Sequence, residues 1–414
     1  MPRVDVATEF DSLQYVSTRG QAPAVDFTGA LLGGLAPDNG LYVPVNMPSL
    51  PEGWQTWSYP QAVAGSLRLF GAGETMDLVT KATSRFNHPE VAPIVEVDGR
   101  LVLELFWGPT LSFKDHALQV LARLLTRHLG RGTVLGATSG DTGAAAIEAC
   151  KGSMRIFMLF PEGRVSEFQR RQMTTVTDDD VVVVAVRGTF DNCQAMVKQT
   201  FAAIPGLLAV NSINWARVAA QAGYYLYAAA RIDEPFDVVV PTGNFGNAYS
   251  CWVAKQMGAP IETIVLANNA NHELTDLVVM GDAFGSEVVS TVAPAMDIQV
   301  PSNLERMKAP LDQEFVAGWV DDGGIRATIA EVDRQHGYTL DPHTATAWKV
   351  GSGHIGARPQ LVVATAHPAK FPEVVMEAIG IRPRLPAGFE RVMTAAERLI
   401  TIDADASALA ELIR

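Results

Sequence analysis

Cysteine is nearly absent: the chain has three in 414 residues, Cys150, Cys193 and Cys251. They are few, widely spaced and odd in number. That excludes a disulfide framework or a cysteine zinc site and fits a reducing compartment. Positive charge is also short. Lys and Arg number 32 against 45 Asp and Glu, a formal net charge of −13. No basic face for nucleic acid is expected from that balance, although a local cluster of donors can hold an anionic small molecule inside an acidic protein. Long hydrophobic runs are missing. The most apolar stretch, residues 219–230, is too short for a bilayer, which needs about 20 residues. The opening Met1-Pro2-Arg3-Val4-Asp5 has no apolar signal core. Internal repeats and low-complexity tracts are lacking. The expectations are a cytoplasmic location, no membrane and no nucleic-acid partner.

What is present is the composition of an ordinary globular protein, 48% hydrophobic and 19% charged. The length allows two or three domains and a sizeable core. Residues 1–92 carry turn signals (Pro37-Asp38-Asn39-Gly40, then Pro44, Pro48 and Pro51) between short apolar pieces, and read as a small N-terminal domain. Residues 94–97 and 101–105 flank Asp98-Gly99, a β-hairpin signature. Strands and helices then alternate. Strands are expected at 133–137, 155–160, 181–186, 237–240, 263–267 and 361–364, and Asp191 reads as the N-cap of a helix through Val197. Continuous apolar strands separated by helices imply parallel sheet covered on both faces. The chain reads as α/β, with a smaller α/β domain over 93–205 and a larger one over 206–414.

Unusual polar or glycine-rich segments follow the strands, at 138–143, 161–166, 241–247, 268–271 and 365–370. Ligands of open α/β sheets bind outside the carboxyl ends of strands, so these loops are expected around one cleft. Three segments carry chemistry. In Pro241-Thr242-Gly243-Asn244-Phe245-Gly246-Asn247 two glycines let N–H groups turn inward ahead of a helix start, which makes a phosphate cup. It is neither the dinucleotide G-x-G-x-x-G nor a P-loop; a plain glycine turn is the alternative. Ser112 and Asp115, ahead of Ala117, Leu118, Val120, Leu121 and Leu124, read as a capping box. Lys114 then lies in a first helical turn, where the dipole disfavours the charged amine. A lysine with lowered proton affinity suits Schiff-base chemistry; an exposed surface lysine is the alternative. Residues 136–143 offer Ser139, Thr142 and backbone donors for a carboxylate, or a plain N-cap with glycine spacers.

Leu105-Phe106-Trp107-Gly108-Pro109-Thr110-Leu111-Ser112-Phe113-Lys114-Asp115 resembles the lysine segment of threonine synthases. The likeness continues in order through residues 137–143, 161–173, 211–217, 241–247, 296–303, 341–345 and 365–371, and includes 15–20 and 40–44. It implies pyridoxal 5'-phosphate as cofactor and the tryptophan-synthase-β fold (PLP fold type II), with two parallel-type α/β domains and a small N-terminal domain. Lys114 would bind the cofactor as a Schiff base. Gly243, Asn244, Phe245, Gly246 and Asn247 would cradle its phosphate, and Thr365 would hydrogen-bond the pyridine nitrogen. Ser139, Asp141 and Thr142 would lie near the substrate carboxylate and the ring. Arg164, Ser166, Asn214 and Arg217 are candidates for the substrate phosphate. The implied reaction converts O-phospho-L-homoserine and water to L-threonine and phosphate, in a monomer or homodimer. Other readings are a relative that eliminates phosphate to give 2-oxobutanoate or acts on an analogue, and a protein that binds cofactor or metabolite without turnover.

Two positions depart from that pattern. Threonine synthases usually carry His where this chain has Trp107, and Asp where it has His272. Trp has one donor and no acceptor. It either removes a titratable group from the substrate pocket or packs behind the loop as a core filler.

Overall fold

The computed structural model describes residues 13–138, 140–282, 285 and 287–414. Strands β1 (Tyr15–Ser17) and β2 (Tyr42–Pro44) form an antiparallel pair in the N-terminal region. Asp98 and Gly99 take φ of 52° and 70°, the left-handed pair that a tight hairpin turn requires. They join β3 (Ile94–Val97) to β4 (Arg100–Glu104). The chain then supplies β5 (Thr133–Ala137), β6 (Arg155–Pro161), β7 (Val181–Arg187), β8 (Leu207–Leu208), β9 (Phe236–Pro241), β10 (Ile261–Asn268), β11 (Phe315–Trp319), β12 (Gln360–Ala364) and β13 (Ile400–Asp403).

Two larger sheets result, a six-stranded one in the order β11-β10-β9-β12-β4-β3 and a five-stranded one in the order β13-β7-β6-β5-β8. Every pairing in them is parallel except the β3–β4 hairpin. The central strands β9 and β12 are buried along their whole length. Val238, Val239 and Val240 are fully buried, each stabilising the fold by about 1.5–3 kcal/mol. That burial on both faces is why these segments read as unbroken apolar runs. The expected α/β class with parallel sheets is observed. Strand pairing crosses the boundary expected at residue 205: β3 and β4 hydrogen-bond into the six-stranded sheet, and β8 and β13 into the five-stranded one.

The helix Trp215–Ala229 is buried at every residue and packs against the helix Tyr59–Leu69, which ties the N-terminal region to the core. One expected cap is corrected. The helix Phe190–Ala203 starts at Thr189, whose hydroxyl accepts from Asn192 N while Asn192 reaches back to Thr189 N; Asp191 lies inside the first turn. Among the described residues no helix is long and apolar enough to cross a membrane.

Candidate active site

The lysine segment leaves β4 and enters the helix Lys114–Leu129 through a kinked turn. Leu111, fully buried, holds φ at 60°, a region uncommon for residues other than glycine. The kink turns Thr110 back onto the helix start. Thr110 N and Oγ1 donate to Asp115 Oδ2 and Oδ1, both at 2.8 Å. The expected Ser112–Asp115 capping box is therefore not formed, because Asp115 is claimed by Thr110. Burial raises the Asp115 carboxyl to about 7, against the pull of those hydrogen bonds. A Cβ on Gly108 would lie 2.4 Å from the Asp115 Cβ, so only glycine permits this contact. Phe113 N donates to Thr365 O at 2.9 Å, and His367 N to Leu111 O at 3.1 Å. The lysine turn and the loop after β12 are thus laced together.

Lys114 opens its helix, and its side chain is 13% exposed. Its Nζ lies 3.5 Å from Asp141 Oδ2. Burial pushes the amine below its ordinary value; Asp141 opposes this, while Lys370 and Arg217 add to it. Asp141 begins the helix Asp141–Cys150 after β5. Its Oδ1 lies 2.8 Å from Lys370 Nζ and accepts from Gln169 Nε2 at 2.9 Å. Burial alone would raise this carboxyl, but Lys370 and Lys114 hold it well below the usual carboxylate range. The loops after β5 and β12 therefore meet, as expected. Lys370 Nζ also donates to Thr110 O at 2.7 Å and Gln172 Oε1 at 3.1 Å. Two lysines share one carboxylate: Lys370 is held by three acceptors, whereas the Lys114 contact is long, at 3.5 Å.

The cup follows β9. Phe245 has a φ of 61°, so the left-handed turn falls on Phe245 between the two glycines. Among the described residues, the N–H groups of Gly243, Asn244, Phe245, Gly246, Asn247 and Ala248 have no acceptor. Six such donors, before and in the first turn of the helix Gly246–Gln256, are the kind of set an anion site needs. Asn247 Oδ1 accepts from the hydroxyls of Tyr224 and Tyr225, while its buried Nδ2 has no partner. Asn244 supports the cup from behind: Nδ2 donates to Ser212 Oγ at 2.6 Å, and Oδ1 accepts from Ser302 N at 2.6 Å. Thr365 is 5% exposed, and its hydroxyl has no hydrogen-bond partner among the described residues. Free N–H groups and the Asn247 amide fit the phosphate of pyridoxal phosphate, the Lys114 amine fits its aldehyde, and the Thr365 hydroxyl fits its ring nitrogen.

The remaining candidates divide. Arg217 is buried; Nη1 donates to Val210 O at 3.1 Å, and Nε has no partner. Burial lowers its guanidinium to about 10. Thr142 is half-buried at the first turn beside Asp141. Arg164 is exposed, and Ser166 caps the helix Glu167–Thr174 by accepting from Gln169 N. Asn214 caps the helix Trp215–Ala229 and donates to Leu31 O at 2.8 Å, so both of its side-chain functions are engaged in structure. Ser139 lies outside the described residues. Among the described residues no cluster of His, Cys, Asp or Glu is placed to hold a metal. Trp107 is half-buried; its Nε1 donates to Glu104 Oε2 at 2.8 Å, and its ring packs beside His88 and Phe106. His272 stacks on Trp319 at 4.4 Å and pairs with Asp276 at 3.0 Å. Sequence reasoning missed Lys370 and Gln169 as parts of the site. A signal for Lys370 existed: a lone lysine in the apolar segment Pro368-Ala369-Lys370-Phe371-Pro372 just beyond a strand's carboxyl end.

Comparison with known proteins agrees with this geometry. The pyridoxal-phosphate dependent enzyme family matches residues 89–365, the threonine synthase N terminus 14–78 and the threonine synthase C-terminal family 344–413. Threonine synthase of Pseudomonas aeruginosa is 40% identical, over 93% of this chain and 95% of its own. Human threonine synthase-like 2 is 36% identical, over 90% of each. A crystal structure of PLP-bound threonine synthase from Brucella melitensis superposes with a TM-score of 0.92 at 39% identity, covering 97% of this chain and 99% of that one. The chain belongs to the threonine synthase family of pyridoxal-phosphate-dependent lyases.

Proposed function

We propose that the chain converts O-phospho-L-homoserine and water to L-threonine and phosphate. One observation carries this reading: in a chain of net charge −13, the buried cleft sets Lys114 and Lys370 on the carboxylate of Asp141, with Arg217 near enough to act on Lys114. Such a cleft suits an anionic cofactor and an anionic substrate together. The relatives named threonine synthase support the same choice.

When bound, pyridoxal phosphate supplies the electron withdrawal that acidifies the Cα–H of an amino acid. The N–H groups of Gly243–Ala248 and the Asn247 amide would hold its phosphate. Thr365 would give the ring nitrogen a hydroxyl and not a carboxylate, which leaves the ring less of an electron sink. The Lys114 amine, its proton affinity lowered by burial, takes the substrate's Cα proton. Protons leave Cα and Cβ, the γ-phosphate departs, a proton returns at Cγ, water adds at Cβ, and a proton returns to Cα. The first-turn N–H groups of Asp141 and Thr142, with Ser139, hold the substrate carboxylate. Arg217 would hold its phosphate, with Arg164 and Ser166 as outer candidates; the Asn214 side chain is instead engaged with Leu31 O and Ala216 N.

A cytoplasmic location, a phosphorylated amino acid as the small-molecule partner, and a monomer or homodimer belong to the same proposal. The second reading, elimination to 2-oxobutanoate, is the one the Trp107 departure would favour. The test is incubation of the cofactor-loaded protein with O-phospho-L-homoserine while phosphate, threonine and 2-oxobutanoate are measured together. Equal phosphate and threonine are expected. Phosphate matched by 2-oxobutanoate selects the second reading, and no phosphate release refutes both.

A further inference from the structure

Lys370 is fully buried, and all three of its ammonium protons have acceptors: Asp141 Oδ1 at 2.8 Å, Thr110 O at 2.7 Å and Gln172 Oε1 at 3.1 Å. An ammonium has three donors and no acceptor, so nothing is left over for a substrate. The Asp141 carboxylate is occupied unequally. Oδ1 meets both Lys370 and Gln169, at 2.8 and 2.9 Å. Oδ2 has only long contacts, from Ser112 Oγ and Lys114 Nζ, both at 3.5 Å. The carboxylate is thus drawn to the side away from Lys114, and its charge is balanced there.

We propose that Lys370 is a positioning residue: by holding Asp141 on its Oδ1 side, it stops that carboxylate from capturing Lys114 as an ammonium. The freed Lys114 amine can then attack. Its lone pair forms the C–N bond to the cofactor's aldehyde carbon. The aldehyde oxygen leaves as water with two protons from the amine, so the step requires the neutral form. The charged groups facing Lys114 are Asp141, on the helix Asp141–Cys150; Lys370, after β12; and Arg217, on the helix Trp215–Ala229. Asp115 follows it on its own helix, bound to Thr110. Lys370 is the cation that lies against Asp141 at ion-pair distance on the side opposite Lys114.

The proposal rests on Lys114 being the lysine that takes the cofactor. That point is checked first and separately, by borohydride reduction of the loaded parent protein and peptide mapping. Label on another lysine overturns both. The main experiment strips the full-length chain of cofactor. It then follows the rate of pyridoxal phosphate capture by absorbance from pH 6 to pH 10 in the parent, Lys370→Gln, Lys370→Met and Lys370→Arg. The rate tracks the neutral fraction of the amine, so its midpoint reads the proton affinity of Lys114. An opposite charge within reach shifts such a midpoint by about 1–3 units. Lys370→Gln and Lys370→Met should therefore raise it by about one unit and slow capture roughly tenfold at pH 7. Lys370→Arg should keep it near the parent value. A folded Gln or Met variant with the parent midpoint overturns the proposal. So does a protein that folds with Arg but with neither Gln nor Met, since Lys370 would then serve the fold alone.

Discussion

Replacing Gly243 by Ala tests whether the cup is as tightly built as its backbone implies. A Cβ there would lie 2.5 Å from Ala295 O and 3.0 Å from Met296 Cα. Both are backbone atoms, so neither can rotate away as a side chain would. Ordinary contact begins near 3.4 Å, so the two segments must part by about 0.9 Å. They are not free to do so. Ser302 N donates to Asn244 Oδ1 at 2.6 Å, Asn303 Nδ2 to Asn244 O at 3.0 Å, and Ala295 N to His343 Nε2 at 3.2 Å. Overpacking of this kind costs about 1–3 kcal/mol. If the strain is relieved by moving the cup, it appears as lost cofactor affinity, roughly 10- to 100-fold. The assay is titration of stripped protein with pyridoxal phosphate, beside Gly356→Ala, where the new Cβ meets nothing within 4 Å. Gly356→Ala should match the parent. A Gly243→Ala protein that also binds within twofold of the parent would refute the reasoning.

Three further outcomes are expected. Lys114→Ala should abolish covalent cofactor attachment and turnover while leaving the thermal melt nearly unchanged, because the side chain makes one long ion pair; near-normal activity would sink the assignment. Trp107→His should leave threonine as the main product from O-phospho-L-homoserine at a similar rate; activity that appears only in the variant would mean a different natural substrate. His116 is held neutral, with burial pushing it down to about 3 from 6.5, and its two nitrogens face Tyr59 and Leu105. Because the folded value lies below the unfolded one, this stability is present above about 6.5 and is lost as pH falls toward 3; between pH 7 and pH 5 the loss is about 2 kcal/mol. Urea unfolding at both pH values reads it, and His116→Gln should flatten the fall; equal losses in parent and variant would contradict the account.

The parts of the fold legible in the sequence are those set by neighbours in the chain. Val181 to Val186 could only be a covered strand, and Asp98-Gly99 could only be a tight hairpin turn. Helix starts were harder, because several acceptors compete for the same donors. Asp115 sits three residues after Ser112, yet Leu111 at φ 60° brings Thr110 to it first. Thr189 outcompetes Asp191 because its partner Asn192 falls three residues on. The Asp141–Lys370 pair joins positions 229 residues apart. No local spacing contains that information; it exists only once β5 and β12, in different sheets, aim their carboxyl ends at one cleft. The cup's glycines were legible, but the left-handed residue between them proved to be Phe245, whose side chain is 1% exposed and held by Tyr249 and Phe315. Packing of that ring over-determines a backbone that glycine would otherwise have been expected to supply.

The same distinction bears on the two departures from the threonine synthase pattern. A histidine at 107 could carry a proton; Trp107 has one donor, and that donor is bound to Glu104. The other Glu104 oxygen accepts the Tyr338 hydroxyl at 2.8 Å, so the carboxylate is held from two sides. Trp107 and Phe106 both present edges to His367, with centroids 6.4 and 5.4 Å away. His367 in turn caps the turn Pro368–Lys370 by accepting from Ala369 N. The indole therefore touches the loop that carries Thr365 and Lys370 by packing on His367, and its one donor is already used. His272 is similarly engaged, between Trp319 and Asp276. Both side chains are thus held by their neighbours, Trp107 by Glu104 and His272 by Trp319 and Asp276, and on the proposed function the Cα proton is assigned to Lys114 and to neither of them.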